Sequence, residues 1–163
     1  MTAAAPPAIS FFCRGRPVAK GSIVVRHVHG ERTRHPRTGK PTCTCRNYAV
    51  AVQDAKLDEW TRLLATAAAR AMGGRLPFTG PVLVCCDFWF ARPVSHTRAQ
   101  RQERYVTTTG RNDSDKLVRS VLDAMQLAAC YGNDSQVQLG HVLKMYCEGD
   151  ERPGVLVTLE ALS

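Results

Sequence analysis

The chain of 163 residues is long enough for one domain with a real core and too short for two comfortable ones. Its composition, 44% hydrophobic, is ordinary for a globular protein. No run reaches the length of a membrane span, and the opening Met-Thr-Ala-Ala-Ala-Pro-Pro lacks the basic start and apolar stretch of a leader, so a soluble cytoplasmic protein is expected. A net charge of +8 points to an anionic partner.

The positive charge is concentrated. Arg14, Arg16, Lys20, Arg26, Arg32, Arg34, Arg37, Lys40 and Arg46 face a single acid, Glu31, over their stretch. Arg92, Arg98, Arg101, Arg104 and Arg111 likewise share theirs with Glu103 alone. A charge run is often just a solvated face, but two runs lacking the opposite sign fit a rim that binds phosphates. Arg14, Arg16, Lys20, Arg34, Arg37, Arg98, Arg101, Arg104, Arg111 and, further on, Lys144 are the candidate DNA contacts.

Taken in order, residues 1–7 read as a disordered lead. Ile9 to Cys13 and Ser22 to Val28 read as strands joined through Pro17 and Gly21. Gly30 to Thr44 is polar and broken by Pro36, Gly39 and Pro41, which predicts a basic loop at about 30–46. A long helix is expected from about Asn47 to Met72, with Val50, Leu57, Trp60, Leu64, Ala67, Ala68 and Ala71 as its apolar stripe and Gly73-Gly74 as its end. Trp60 is expected in the core. Pro81 to Ala91 is nearly continuously apolar, as a central strand covered on both faces would be. Asp87 within it is either a further acid or a strand residue facing outward. Arg92 to Asn112 has no period and reads as a second basic loop, where Tyr105 could stack on a base.

The next stretch carries the chemistry. Leu117, Val118, Val121, Leu122, Ala124, Met125 and Ala128 recur at helical spacing from about Asp113 to Ala128, with Asn112 or Asp113 as N-cap. Asp115, Arg119 and Asp123 fall on one strip beside the apolar face. A turn then brings Asp134 in Gly132-Asn133-Asp134-Ser135. Each Asp taken singly is commonly a cap or a turn former. Together they exceed what a cap requires, and hard carboxylate oxygens beside a basic surface suit Mg²⁺. Val137 to Tyr146 and Gly154 to Leu162 complete the chain as strands. The order β, β, α, β, α, β, β predicts a single compact α/β domain over residues 8–163, a mixed sheet with two main helices packed on it.

Seven cysteines form no framework spacing and are expected reduced. Cys43 and Cys45, with His27, His29 and His35 nearby, raise zinc as a minor alternative.

Asp-x-Asp-x-Leu-x-Arg-x-Val-Leu-Asp-Ala-Met from Asp113, then Asn133-Asp134-Ser135-Gln136-Val137 and Lys144, resembles the RusA family of Holliday junction resolvases of phages and prophages. Gly15-Arg-Pro-Val-Ala-Lys-Gly21 resembles the family's N-terminal strand and loop. The resemblance implies a RusA-like fold and essential acids at Asp113, Asp115 and Asp134, which would ligate Mg²⁺, with Mn²⁺ as substitute. Asp123 matches a further acid. The family's catalytic lysine falls on Arg119, which keeps the charge but cannot give up a proton near neutral pH. Asn133 stands where the family often has Asp, and Lys116 where it often has Asn. The resemblance further implies a homodimer acting on branched DNA in a bacterial host, without a nucleotide cofactor. Two other readings are a non-catalytic DNA-binding recombination protein and a less selective flap or fork nuclease.

Overall fold

Strand β6 (Val82–Phe90) organises the sheet, because Val-Leu-Val-Cys-Cys-Asp-Phe-Trp-Phe supplies mostly apolar side chains to both faces. The computed structural model describes residues 8–20, 23–28, 32–43, 46–51, 55–107 and 113–162. Two compact units emerge, Met1–Lys20 with Ala55–Ser163, and Gly21–Asp54.

In the larger unit, β1 (Ala8–Arg14), β6, β7 (Val137–Tyr146) and β8 (Gly154–Ala161) form one sheet in the order β1-β8-β6-β7. Strand β8 is antiparallel to both neighbours, pairing Ile9 with Leu159 and Val84 with Leu159. Strand β7 runs parallel to β6, which requires a crossover, and helix α2 (Ser114–Leu127) lies within it.

Alternation along the strands sends Ile9, Phe11, Cys13, Val155, Val157, Leu159, Val82, Val84, Cys86 and Phe88 to one buried face. Helix α1 (Ala55–Met72) contributes Trp60, Leu64, Ala68 and Met72, each one turn from the last, and α2 contributes Leu117, Val121, Ala124 and Met125. These residues form one core cluster, in which each fully buried large side chain contributes about 1.5–3 kcal/mol. Trp60 is in that core, as expected. Gly73 (φ 56°) and Gly74 (φ 81°) end α1, and the Gly73 N–H donates to the Ala69 carbonyl at 3.2 Å. The other face of the sheet is half-exposed. There Phe12 meets Trp89 edge-on at 5.9 Å, and Asp87 holds His141 Nε2 at 3.0 Å, so Asp87 is a strand residue facing outward.

The smaller unit corrects two expectations. Arg46–Ala51 is a strand, β5, antiparallel to β2 (Ile23–Val28), and the helix begins only at Ala55. Asn47 to Ala51 alternates Tyr48 and Val50 with smaller residues, and its partner strand lies about twenty positions earlier, where local helical periodicity cannot register it. Within the expected loop, β3 (Arg32–Arg34) and β4 (Pro41–Cys43) pair as a hairpin, with Arg32 opposite Cys43. The loop after β6 is also less open than its composition suggests. It forms a 3₁₀ turn at Gln100–Gln102, and Val106 N–H bonds the Lys144 carbonyl while Tyr146 N–H bonds that of Arg104. Residues 1–7, Cys45, Arg111 and Asn112 lie outside the described residues, as does the Cys43 side chain, so the disordered lead and the zinc alternative fall there too. Among the described residues no helix is long and apolar enough to cross a membrane.

Candidate active site

Helix α2 begins at Asp113, whose extended backbone (φ −60°, ψ 131°) is that of an N-cap, and its carbonyl accepts the first helical bond from Leu117 N–H at 3.0 Å. Its carboxylate does not cap. It turns instead to Lys116 Nζ at 3.0 Å, and this hydrogen bond, with the charges of Asp113 and Asp115, holds the Lys116 ammonium above its ordinary pKa. Asp115 is exposed one turn from Arg119, itself exposed and without an ion pair or hydrogen bond among the described residues. Asp123 follows one further turn on and is half-buried, at the edge of the apolar face as its spacing predicts.

Past α2, Ala129 adopts a left-handed conformation (φ 53°) and the chain reaches a 3₁₀ turn at Asp134–Gln136. That turn is closed by its neighbours. Asn133 Oδ1 accepts Ser135 N–H at 2.8 Å, and Gln136 Oε1 accepts the N–H groups of Gly132 and Asn133 at 2.9 and 3.0 Å. The Asp134 carboxylate therefore has no part in capping the turn. Its recorded contact is with Tyr131, whose hydroxyl lies 3.4 Å from Asp134 Oδ1 and 3.1 Å from the Leu122 carbonyl. Burial, reinforced by the charges of Asp134 and Asp123, raises the Tyr131 phenol well above its ordinary pKa, so it stays protonated.

Lys20 closes the arrangement. Its N–H bonds the Lys116 carbonyl at 3.1 Å, and its ammonium reaches along α2 to Asp123 Oδ2 at 2.5 Å. The acids thus form two groups on one helix and the turn behind it. Asp113 and Asp115 flank Lys116, while Asp123 and Asp134 bracket Tyr131.

Among the described residues no three His, Cys, Asp or Glu side chains are close enough to enclose a metal. The three-carboxylate convergence expected from sequence is therefore absent from them. The donor chemistry still fits Mg²⁺ in its usual mode, in which one or two carboxylates bind and waters and substrate phosphate complete the octahedron. Asp113 and Asp115 offer such a pair, neither engaged in capping.

The candidate DNA contacts separate by what holds them. Arg14 and Arg16 are exposed and carry no ion pair among the described residues. Arg34, Arg37 and Arg98 are exposed too. Arg101 bonds the carbonyls of His96 and Val94, and Arg104 forms a two-pronged pair with Glu151 at 2.6 and 2.7 Å, so both brace the loop. Lys144 is half-buried on β7, and Arg111 lies outside the described residues.

Sequence reasoning missed Tyr131 and the attachment of Lys20 to Asp123. The Asp113-to-Lys116 spacing of three could have signalled their pairing. Cys13, Cys85, Cys86, Cys130 and Cys147 are free, and burial pushes the Cys13 and Cys130 thiols up to about 11 and Cys86 to about 12, which leaves them inert.

Comparison with protein families matches residues 16–160 to the model described as Endodeoxyribonuclease RusA. No curated protein matches the chain.

Proposed function

The chain belongs to the RusA family of endodeoxyribonucleases, and from that premise we propose that it resolves four-way DNA junctions by paired, symmetric, metal-dependent nicks. One observation carries this reading. Asp113 and Asp134 stand where a cap and a turn would explain them, yet neither carboxylate does that work. An acid released from capping, near an α2 whose Arg119 carries no ion pair among the described residues, is available for a cation and a phosphate.

Asp113 and Asp115 would hold Mg²⁺ or Mn²⁺, with Asp134 as the third acid of the site, and the ion when bound supplies an activated water and neutralises charge on the phosphate. Arg119 contacts the phosphate and stabilises negative charge as it develops, remaining protonated throughout. Asp123 fixes the Lys20 ammonium beside the same strip of α2. A four-way junction has two-fold symmetry, so two copies related by the same axis present one site to each strand to be cut. The protein would act on DNA in a bacterial cytoplasm.

The test is cleavage of a synthetic four-way junction and its matched linear duplex, with and without Mg²⁺, by the wild type and by Asp134→Asn. Paired nicks confined to the junction, requiring metal and lost in the variant, are expected. Binding without cleavage by both proteins in either metal would leave a junction-binding protein, and equal cutting of the duplex a general nuclease.

A further inference from the structure

Beyond the acidic helix, the ends of β1 and β6 enclose a cleft of about 650 Å³, lined by Arg14, Arg16, Phe90, Arg92 and Tyr146 among others. This volume lies in the range of about 300–1,000 Å³ typical of small-ligand sites. Its walls combine two kinds of chemistry.

Arg92 forms a fixed platform. Its Nη1 donates to the carbonyls of Gln100 and Glu103 at 3.1 and 3.0 Å, its Nη2 lies 3.5 Å from Glu148, and its guanidinium sits 4.8 Å above the centre of the Tyr146 ring. His96 packs edge-on against that ring at 5.0 Å. With Nη1 engaged in the loop and one face on Tyr146, the guanidinium is a planar cation held in place where it lines the cleft, its side chain 18% exposed. Such a surface stacks well on a nucleobase.

Arg14 and Arg16 supply the opposite chemistry, guanidinium groups with no ion pair among the described residues. Both are carried on a rigid corner. Gly15 between them has φ 148°, its N–H donates to the Pro153 carbonyl at 3.0 Å, and a Cβ there would lie 3.1 Å from the Trp60 ring. Two exposed arginines without an ion pair among the described residues suit phosphate oxygens. A phosphate alone would not need the stacked platform, and an apolar ligand would not need the arginines.

The cleft is also tied to the acidic helix. Lys20, four residues beyond Arg16, is bonded to the first turn of α2, and four residues span at most about 14 Å. A strand seated in the cleft therefore reaches the acids within a few nucleotides.

We propose that this cleft seats one unstacked nucleotide of a DNA strand, its base on the Arg92–Tyr146 platform and its flanking phosphates on Arg14 and Arg16. The assignment rests on the proposed action on branched DNA, whose crossover is where bases unstack.

The test uses the full chain in EDTA, with four-way junctions and single-stranded oligonucleotides carrying one abasic site at successive positions. For the wild type, one position near the crossover should weaken binding about tenfold when its base is missing. That sensitivity should disappear in Arg92→Lys, which keeps charge but loses the planar face, and overall affinity should fall in Arg14→Ala/Arg16→Ala, whose exposed side chains leave folding intact. Abasic sites within twofold of intact DNA at every position, equal sensitivity in wild type and Arg92→Lys, or unchanged affinity in the Arg14→Ala/Arg16→Ala variant would overturn the assignment. Base-sensitive binding without cleavage in Mg²⁺ would remove the nuclease reading and keep the cleft. Cleavage without base sensitivity would do the reverse, and failure to bind either DNA would overturn both.

Discussion

The Lys20 ammonium lies 2.5 Å from the Asp123 carboxylate, although 103 positions separate the two residues. With the bond from Lys20 N–H to the Lys116 carbonyl, it fastens the segment after β1 along two turns of α2. Both side chains are more than a third exposed, so solvent screening limits what the pair adds to stability. Its value lies in position. A double-mutant cycle of Lys20→Met and Asp123→Asn should show a stability coupling below about 1 kcal/mol. Junction cleavage by Lys20→Met should fall about ten- to a hundredfold, the range for groups that orient a site. Unchanged cleavage would reduce the pair to a surface contact.

Asn133 and Asp134 are adjacent and should part company under mutation. Asn133→Ala removes the side chain that closes the turn and should cost about 1 kcal/mol, measured by urea unfolding. Asp134→Asn should leave Tm within about 2 °C and reduce cleavage on the order of 10²–10³-fold. Asp113→Asn should behave in the same way, since its carboxylate does not cap α2. A large loss of Tm in either Asp variant would return these residues to structural duty.

Lys116 competes for the Asp113 carboxylate that a cation would use. Replacing it with Met should tighten Mn²⁺ binding several-fold, read by calorimetry or the Mn²⁺ paramagnetic signal. Equal or weaker binding would show that the ammonium does not oppose the metal.

The pair between Arg104 and Glu151 sets an acid dependence. The Arg104 hydrogen bonds, with the Glu148 N–H, hold the Glu151 carboxyl at about 2, below its ordinary 4.5. A depressed carboxyl stabilises the fold above its ordinary pKa, and that contribution disappears as pH falls through the lower value. The Tm difference between wild type and Glu151→Gln should therefore be constant above about pH 5 and close toward pH 2. A gap that persists at pH 2 would assign the effect to packing instead.

What the sequence made legible follows from the range of the interactions. Helix α2 and strand β6 are written in local periodicity, and both were found nearly to the residue. Strand β5 reads as helix because its identity rests on pairing with β2, and the hairpin of β3 and β4 reads as a loop because its apolar content is low. The acids could be found from type and spacing. That Asp113 does not cap, that Lys20 reaches Asp123 and that Arg92 lies on Tyr146 depend on side-chain geometry between distant segments, which spacing does not encode.

In the described sheet β1 has β8 as its sole neighbour, with Ala8 opposite Glu160 and Arg14 opposite Gly154. During synthesis, the segment bearing Arg14, Arg16 and Lys20 is made long before β8 and cannot take its place in the sheet until β8 has left the ribosome. The basic corner thus gains its strand partner only after the acidic helix has been made, and a nascent chain halted before β8 carries the residues of a nuclease without the strand that seats Arg14.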